Sequence, residues 1–506
     1  MIRNALDHLL AGRFAEAELA ARSILQADAR QPQANFLLGL ALLQRGKTEE
    51  AIRFLGAAAS LRPEDAHFHY NLGLALQRAG RGGEAAASYE KAVGIDPGFF
   101  EALDNLGVVL QEKGDFDRAV AVHRKAIGLK PENPGAWCNL GLALQEAGDL
   151  DGALDAFVRA LSIHPAYPEA LNNLGFALFE KGRVEEAVPC YLEALATRVD
   201  YPKAKFNLSL ALLFMGNYEQ GFEHYESRFT GAVELSGCGE MFRSGIAPWR
   251  GEDLEGKRIL VWTEQGLGDA IMMLRYLPLM KGEIHVACGP ELERLVREIP
   301  GVKTGAEGSF DFHCPIMSLP RVFRTTIESI PIPALQVPEP MRRAWESRLS
   351  GFSGPKVGLV WAGGKKLRRD HQRSMPFENL KPLLEVEGVN FFSLQKNGRF
   401  SDSRVVDLMG DCDDLLDTAA FISSLDIVIS VDTAVAHLAG TIGKPVWLMN
   451  RFESEWRWMR ERDDSPWYPS MRIFTQKRPR DWDELVSRMR SELSTIFHTG
   501  PHFSEK

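Results

Sequence analysis

Three short stretches of this sequence carry residue types that could do chemistry at anions and hydroxyls. In the first, the apolar run Ile427 to Val431 is followed by Asp432, Thr433 and Ala434, with His437 one turn further on. A strand ending at Val431 and a helix starting at Thr433 would direct unpaired amides, a hydroxyl and the positive helix end toward one point, which suits a phosphate. The second stretch is Trp361-Ala362-Gly363-Gly364, followed by Lys365, Lys366, Arg368, Arg369, His371, Arg373 and Ser374. Preorganised cations there could stabilise the charge on a departing anion, with Arg373, next to Ser374-Met375-Pro376, the best placed of them. The third is Glu264-Gln265-Gly266-Leu267-Gly268-Asp269. Gly266 and Gly268 leave room for a bulky ligand, and Asp269 at a helix start or Glu264 before it could accept a proton. Each stretch also has an ordinary structural reading: Asp269, Asp432 and Thr433 as helix caps, His437 as a core residue, and the basic run as solvated surface.

These residues need a scaffold that brings loop ends together. Beyond about residue 256, short apolar runs alternate with helical patterns. Runs at 259–262, 284–287 and 310–314 read as strands, with helices near 270–281 and 290–298. A second series begins at Lys356: KVGLVWAG, a helix from Pro376, VNFFSLQK, VVDLMG, a helix from Asp413, DIVISVD, a helix from Thr433, and PVWLMN. Strands alternating with helices predict parallel sheets, which bind ligands beyond the carboxyl ends of their strands. The sequence therefore divides into a loop-rich linker at 231–256, a first α/β lobe at 257–340, a second at 355–480 and a terminal helix at 481–497. Ser393, Gln395 and Lys396, at the end of VNFFSLQK, fall at the same rim as the basic run.

Residues 1–230 follow a different rule. Glycines recur at Gly39, Gly73, Gly107, Gly141 and Gly175 and again at Gly12, Gly46, Gly80, Gly114, Gly148, Gly182 and Gly216, every step being 34 residues. Ala17, Ala51, Ala85, Ala119, Ala153 and Ala187 keep the same period, as do Pro63, Pro97, Pro131 and Pro165. That is the signature of tetratricopeptide repeats, two antiparallel helices per unit, in about seven stacked copies forming a superhelix. Asn71, Asn105, Asn139, Asn173 and Asn207 form one more series. Amides in that register either line the groove and bond an extended polypeptide, as in the repeat arm of the O-linked N-acetylglucosamine transferases that this arm resembles, or bond within the repeat itself.

Two such lobes behind a repeat arm resemble the GT-B glycosyltransferase fold, with two Rossmann-like lobes. The segment DTAVAHLA at 432–439 is similar to the Asp-Thr-(Gly/Ala)-x-x-His-Leu-Ala segment of the heptosyltransferases, Ala434 standing where Gly is frequent. The Gly268-Asp269 pair, Arg373 and the Ser393-Leu394-Gln395 strand end extend the resemblance. It implies a nucleotide-sugar donor on the second lobe, contacted by Trp361, Gly363, Lys365, Ser393, Gln395, Lys396, Asp432, Thr433, Ala434 and His437. Asp269 or Glu264 would be the base, with Arg373 assisting the leaving group, and the Asn series with Gly266 and Gly268 on the acceptor side. Tetratricopeptide-fused members of that group resemble enzymes that glycosylate Ser or Thr of proteins such as flagellin. The expected reaction is inverting, with no metal and no cofactor beyond the sugar nucleotide.

A net charge of -9 argues against generic nucleic-acid binding. The opening MIRNALDHLLAGRFAEAELA interrupts its apolar residues with acids and Arg, so neither a signal peptide nor a membrane anchor is expected and the chain reads as cytoplasmic. The six cysteines are scattered, with no zinc or disulfide spacing. Two other readings stay open: a glycan or lipid acceptor, and an adaptor whose α/β part binds a nucleotide without turnover.

Overall fold

The computed structural model describes residues 1–231, 245–333, 335–364, 370–396 and 400–498. The chain forms two compact units, Met1–Val199 and Asp200–Lys506.

The first unit is six antiparallel helix pairs, from Ile2–Leu10 with Phe14–Ala27 to Pro168–Glu180 with Val184–Thr197. The 34-residue period has direct steric causes. A Cβ at Gly73 would lie 2.6 Å from the Tyr89 ring, and one at Gly141 2.5 Å from Phe157, so only glycine lets the two helices of a pair approach this closely. The Ala series from Ala17 to Ala187 is fully buried on the other helix of each pair. The glycines between paired helices, such as Gly114 at φ +79°, take the left-handed conformation that closes the turn. Stacked pairs of this kind make the repeat superhelix.

The seventh pair, Pro202–Phe214 and Tyr218–Tyr225, falls in the second unit. It packs on aromatic residues that lie more than two hundred positions further along. Trp467 donates through Nε1 to the Tyr218 hydroxyl at 3.0 Å, and Phe222 meets Trp456 edge to face. Trp456, Trp458 and Trp467 are all buried, and the rings of Trp456 and Trp467 cover this helix pair at Tyr218, Phe222 and Tyr225.

Two wholly parallel sheets follow. The first contains β1 (Ala247–Pro248), β2 (Arg258–Trp262), β3 (Glu283–Ala287), β4 (Val302–Thr304) and β5 (Phe312–Pro315), in the order β1-β5-β2-β3-β4. The second contains β6 (Lys356–Val360), β7 (Asn390–Ser393), β8 (Val405–Asp407), β9 (Ile427–Val431), β10 (Val446–Asn450) and β11 (Met471–Thr475), in the order β11-β10-β9-β6-β7-β8. β9 and β10 are buried along their whole length, as expected of parallel strands covered on both faces. In each sheet the chain runs outward on one side and then returns to the other side of its first central strand. This places a switch point between β2 and β5 in one sheet and between β6 and β9 in the other.

Some elements differ from expectation. The helix expected from Pro376 is two 3-10 turns, Phe377–Leu380 and Leu383–Glu385; Pro382 between them lacks the amide a continuing helix needs. The helix expected at 270–281 is Leu267–Met273 followed by a 3-10 turn, Leu274–Leu279, that holds Pro278. The Pro-rich join at 331–355 contains a helix, Glu339–Arg348, whose Trp345 stacks on Phe421 at 4.4 Å. β1, β4 and β11 are additions to the strands read from sequence. No helix among the described residues is long and apolar enough to cross a membrane.

Candidate functional site

The switch point of the second sheet gathers several of the expected residues. After β9, Asp432 leads into the Ala434–Thr441 helix, with Thr433 at its N-cap. The Thr433 side chain does not cap that helix; its hydroxyl lies 3.0 Å from Ser430 Oγ. The first amides of the helix therefore have neither an intrahelical acceptor nor a side-chain cap from Thr433. From the neighbouring strand end, after β6, Arg373 reaches across and donates through Nη1 to the Asp432 carbonyl at 3.0 Å. Its Nε bonds Asp370 at 3.0 Å, and Asp370 in turn accepts from Ser374 Oγ at 2.9 Å. A Cβ at Gly363 would lie 2.4 Å from Arg373 Nη2, so the glycine is what lets the guanidinium lie over this turn.

Asp432 and His437 form a pair, Oδ1 to Nε2 at 3.6 Å, and His437 Nδ1 meets the Tyr468 hydroxyl at 2.9 Å. Burial alone would raise the Asp432 carboxyl. The hydrogen bond to His437 and the positive charges of Arg457 and Arg373 outweigh it and hold the group well below the usual carboxylate range.

The first lobe meets this site through the Leu267–Met273 helix. A Cβ on Gly268 would sit 2.7 Å from His437 Cδ2, so Gly268 is required by the close approach of the two helices. Gly268→Ala should cost about 1–3 kcal/mol, the usual size of an overpacking strain, read as a lower urea midpoint at unchanged slope. Asp269 stands in the first turn without capping it, since the N-cap is Gly266. Its carboxylate pairs instead with Arg457, on the stretch after β10. Arg457 also bonds Glu455 at 2.8 Å and lies over the Trp456 ring at 4.6 Å. Burial works against its charge, but Asp269 and Glu455 keep it firmly protonated.

Glu264 occupies the other switch point. It follows β2 and accepts from the Ile316 and Met317 amides, just after β5, at 3.1 and 3.2 Å. Arg228, from the segment that follows the last helix pair, bonds it at 2.9 Å, and both side chains are wholly inaccessible. Burial pushes the Glu264 carboxyl up to about 6 against the opposing pull of Arg228. Arg228 also bonds Glu226 at 2.8 Å and Ser318 at 2.8 Å. Glu264 is thus an internal brace with no accessible side-chain surface, whereas Asp269 remains partly accessible. Beside it, Gln265 donates to the Tyr225 hydroxyl at 2.8 Å, a second tie to the last helix pair.

Other expected contacts have structural partners. Trp361 packs in the core of the second lobe against Phe377 and Phe400. Gln395 is an internal clamp: its amide accepts from the Ala362 amide and donates to the Ala362 carbonyl, both at 3.0 Å. Ser393 is fully buried and accepts from the Gln395 amide, while Lys396 is exposed. Lys365, with Lys366, Arg368 and Arg369, lies outside the described residues.

In the repeats, Asn105 donates to Tyr70, Asn139 to Asp104 and Asn173 to the Cys138 sulfur, each reaching the preceding repeat. Asn71 bonds the His67 carbonyl of its own helix, and Asn207 is buried. Three of the five, Asn105, Asn139 and Asn173, therefore tie neighbouring repeats together. Among the described residues no group of three or more His, Cys, Asp or Glu side chains is placed to hold a metal ion.

Arg457 is the member of the site that the motifs did not single out. The available signal was an arginine flanked by two tryptophans, Trp456 and Trp458, a few residues beyond the mostly apolar run PVWLMN.

The class of the first unit is defined by its repeats: residues 2–59, 38–98, 105–170 and 138–202 match the tetratricopeptide repeat family. Among individual proteins, the chain is similar to Protein FlbA of Caulobacter vibrioides, 31% identical over a 322-residue alignment, with 54% of this chain and 52% of FlbA covered. The chain thus spans about half the length of that curated relative. Solved structures with some likeness include a MamA crystal structure (26% identity, 32% of this chain and 90% of that one, TM-score 0.31). YrrB, described as a TPR protein with an unusual peptide-binding site, is 22% identical over 37% of this chain and 95% of its own, with a TM-score of 0.33.

Proposed function

We propose that this chain is a glycosyltransferase whose two sheets form a GT-B type module, moving a sugar from a nucleotide-sugar donor to an acceptor hydroxyl. The observation that carries this reading is the convergence at the second sheet's switch point. An open helix start at Thr433 and Ala434 lies beside Arg373, with the carboxylate of Asp269 facing them from the other lobe. The diphosphate of the donor would sit on the helix start, its charge met by helix amides and Arg373. Asp269 takes the proton of the acceptor hydroxyl, whose oxygen bonds to the anomeric carbon from the face opposite the leaving group. The bond from that carbon to the phosphate oxygen breaks, and its electron pair leaves with the nucleoside diphosphate. The account needs no metal and no cofactor beyond the donor. The acceptor belongs to the repeats, and Ser or Thr of a polypeptide is the class that fits a repeat groove.

Thermal unfolding against ADP, GDP, UDP, CMP and their sugar conjugates tests the donor site. One nucleotide should raise the melting temperature in a concentration-dependent way, and the Asp432→Ala, Thr433→Ala double change should abolish that rise. A rise that survives the double change puts the nucleotide elsewhere and defeats the assignment.

A further inference from the structure

The Asp269 carboxylate that would meet an acceptor hydroxyl is engaged by Arg457, and this suggests how the reaction is ordered. The Asp269–Arg457 pair joins groups 188 residues apart, one from the first lobe and one from the second, with side-chain exposures of 17% and 11%. The Asp269 oxygen that bonds the guanidinium is not open to an acceptor hydroxyl. Arg457 is not committed to Asp269 alone. Glu455 holds its other terminal nitrogen at 2.8 Å and is itself fixed by Arg451 at 2.7 Å, and Arg451 bonds Gln372, one residue before Arg373. The guanidinium can therefore swing while staying tethered. It also lies within electrostatic reach of Asp432, the residue that leads into the open helix start. The indole N–H of Trp458, the next residue, is buried beside His437 without a hydrogen-bond partner.

Resting on the donor-site reading above, we propose that Arg457 is a donor-operated latch: a bound nucleoside diphosphate draws its guanidinium off Asp269 and so releases the base. The donor would bind first, and Asp269 would be competent only when a leaving group is in place. Arg457 is then a positioning residue whose partner changes between the free and the donor-bound chain. An empty site would be protected from wasteful proton transfer.

Modification of Asp269 by a water-soluble carbodiimide with glycinamide, quantified by peptide mass spectrometry, reads the latch directly. The full chain is compared alone and with saturating UDP, GDP, ADP or CDP, binding being followed by thermal shift in the same samples. The latch predicts that the nucleotide that binds increases labelling of Asp269 by about tenfold, the change that the loss of one ion pair controls. In Arg457→Gln the residue should label fully with or without nucleotide. Arg457→Lys, which keeps a charge but not the forked geometry, should give an intermediate level and serves if the Gln variant does not fold. Binding with no gain in labelling overturns the latch and leaves the donor site standing. Failure of every nucleotide to bind overturns the donor reading, and the latch falls with it.

Discussion

Asp269→Asn should leave the fold and nucleotide binding intact and lower sugar transfer by about a hundred- to ten-thousand-fold, the usual contribution of a positioned general base. The expectation follows from where the carboxylate sits. It is partly accessible, lies in the first turn of the Leu267–Met273 helix, and faces the strand-end rim of the second sheet, where Arg373 and the Thr433 helix start converge. Asn keeps the size of the side chain and loses the capacity to take a proton, so the loss should appear in kcat with the melting shift by nucleotide retained. A parallel loss of nucleotide binding would mean that the pair with Arg457 shapes the donor site, and the assignment of Asp269 as base would fail.

Arg228→Ala should destabilise the second unit by about 3–5 kcal/mol, because it removes the cation that faces the buried Glu264 carboxylate. The effect carries a pH signature. Glu264 titrates near 6 in the folded chain, against an ordinary value of 4.5, so it holds its proton more tightly folded than unfolded. The stability from this group is fully present below the ordinary value and is lost as pH rises through about 6. Removing Arg228 takes away the positive charge that opposes burial, which raises the group further. The damage should therefore be large at about pH 8 and much smaller at about pH 5 in urea melts. An equal loss at both values would show that the guanidinium acts through packing rather than through Glu264.

The repeats were legible because each helical pair meets the same steric demand, and six or seven repetitions turn weak preferences into a period. Gly73 under Tyr89 and Gly141 under Phe157 are the same constraint two repeats apart. The second switch point was legible for a related reason. A fully buried strand, β9, followed at once by Asp432 and Thr433, writes strand, turn and helix start into consecutive residues. What sequence could not resolve were partners joined only by the fold. Glu264 and Asp269 look equivalent five residues apart, and only Arg228 beside one and Arg457 beside the other separate an internal brace from a partly accessible carboxylate. Trp361 and Gln395 sit where a ligand contact is expected, yet core packing and a backbone clamp engage them. The Asn series keeps its 34-residue register, while Asn105, Asn139 and Asn173 spend their amides on the preceding repeat.

The most direct test of a donor site at the second switch point is release of free nucleoside diphosphate from a panel of nucleotide sugars, in the presence of a chelator, by the native chain and by Arg373→Ala. The account predicts that one donor is turned over by the native chain with the chelator present, and that Arg373→Ala, which loses the cation beside the helix start, is slower by about a hundredfold or more. No release from any donor, or release that Arg373→Ala leaves unchanged, would contradict it.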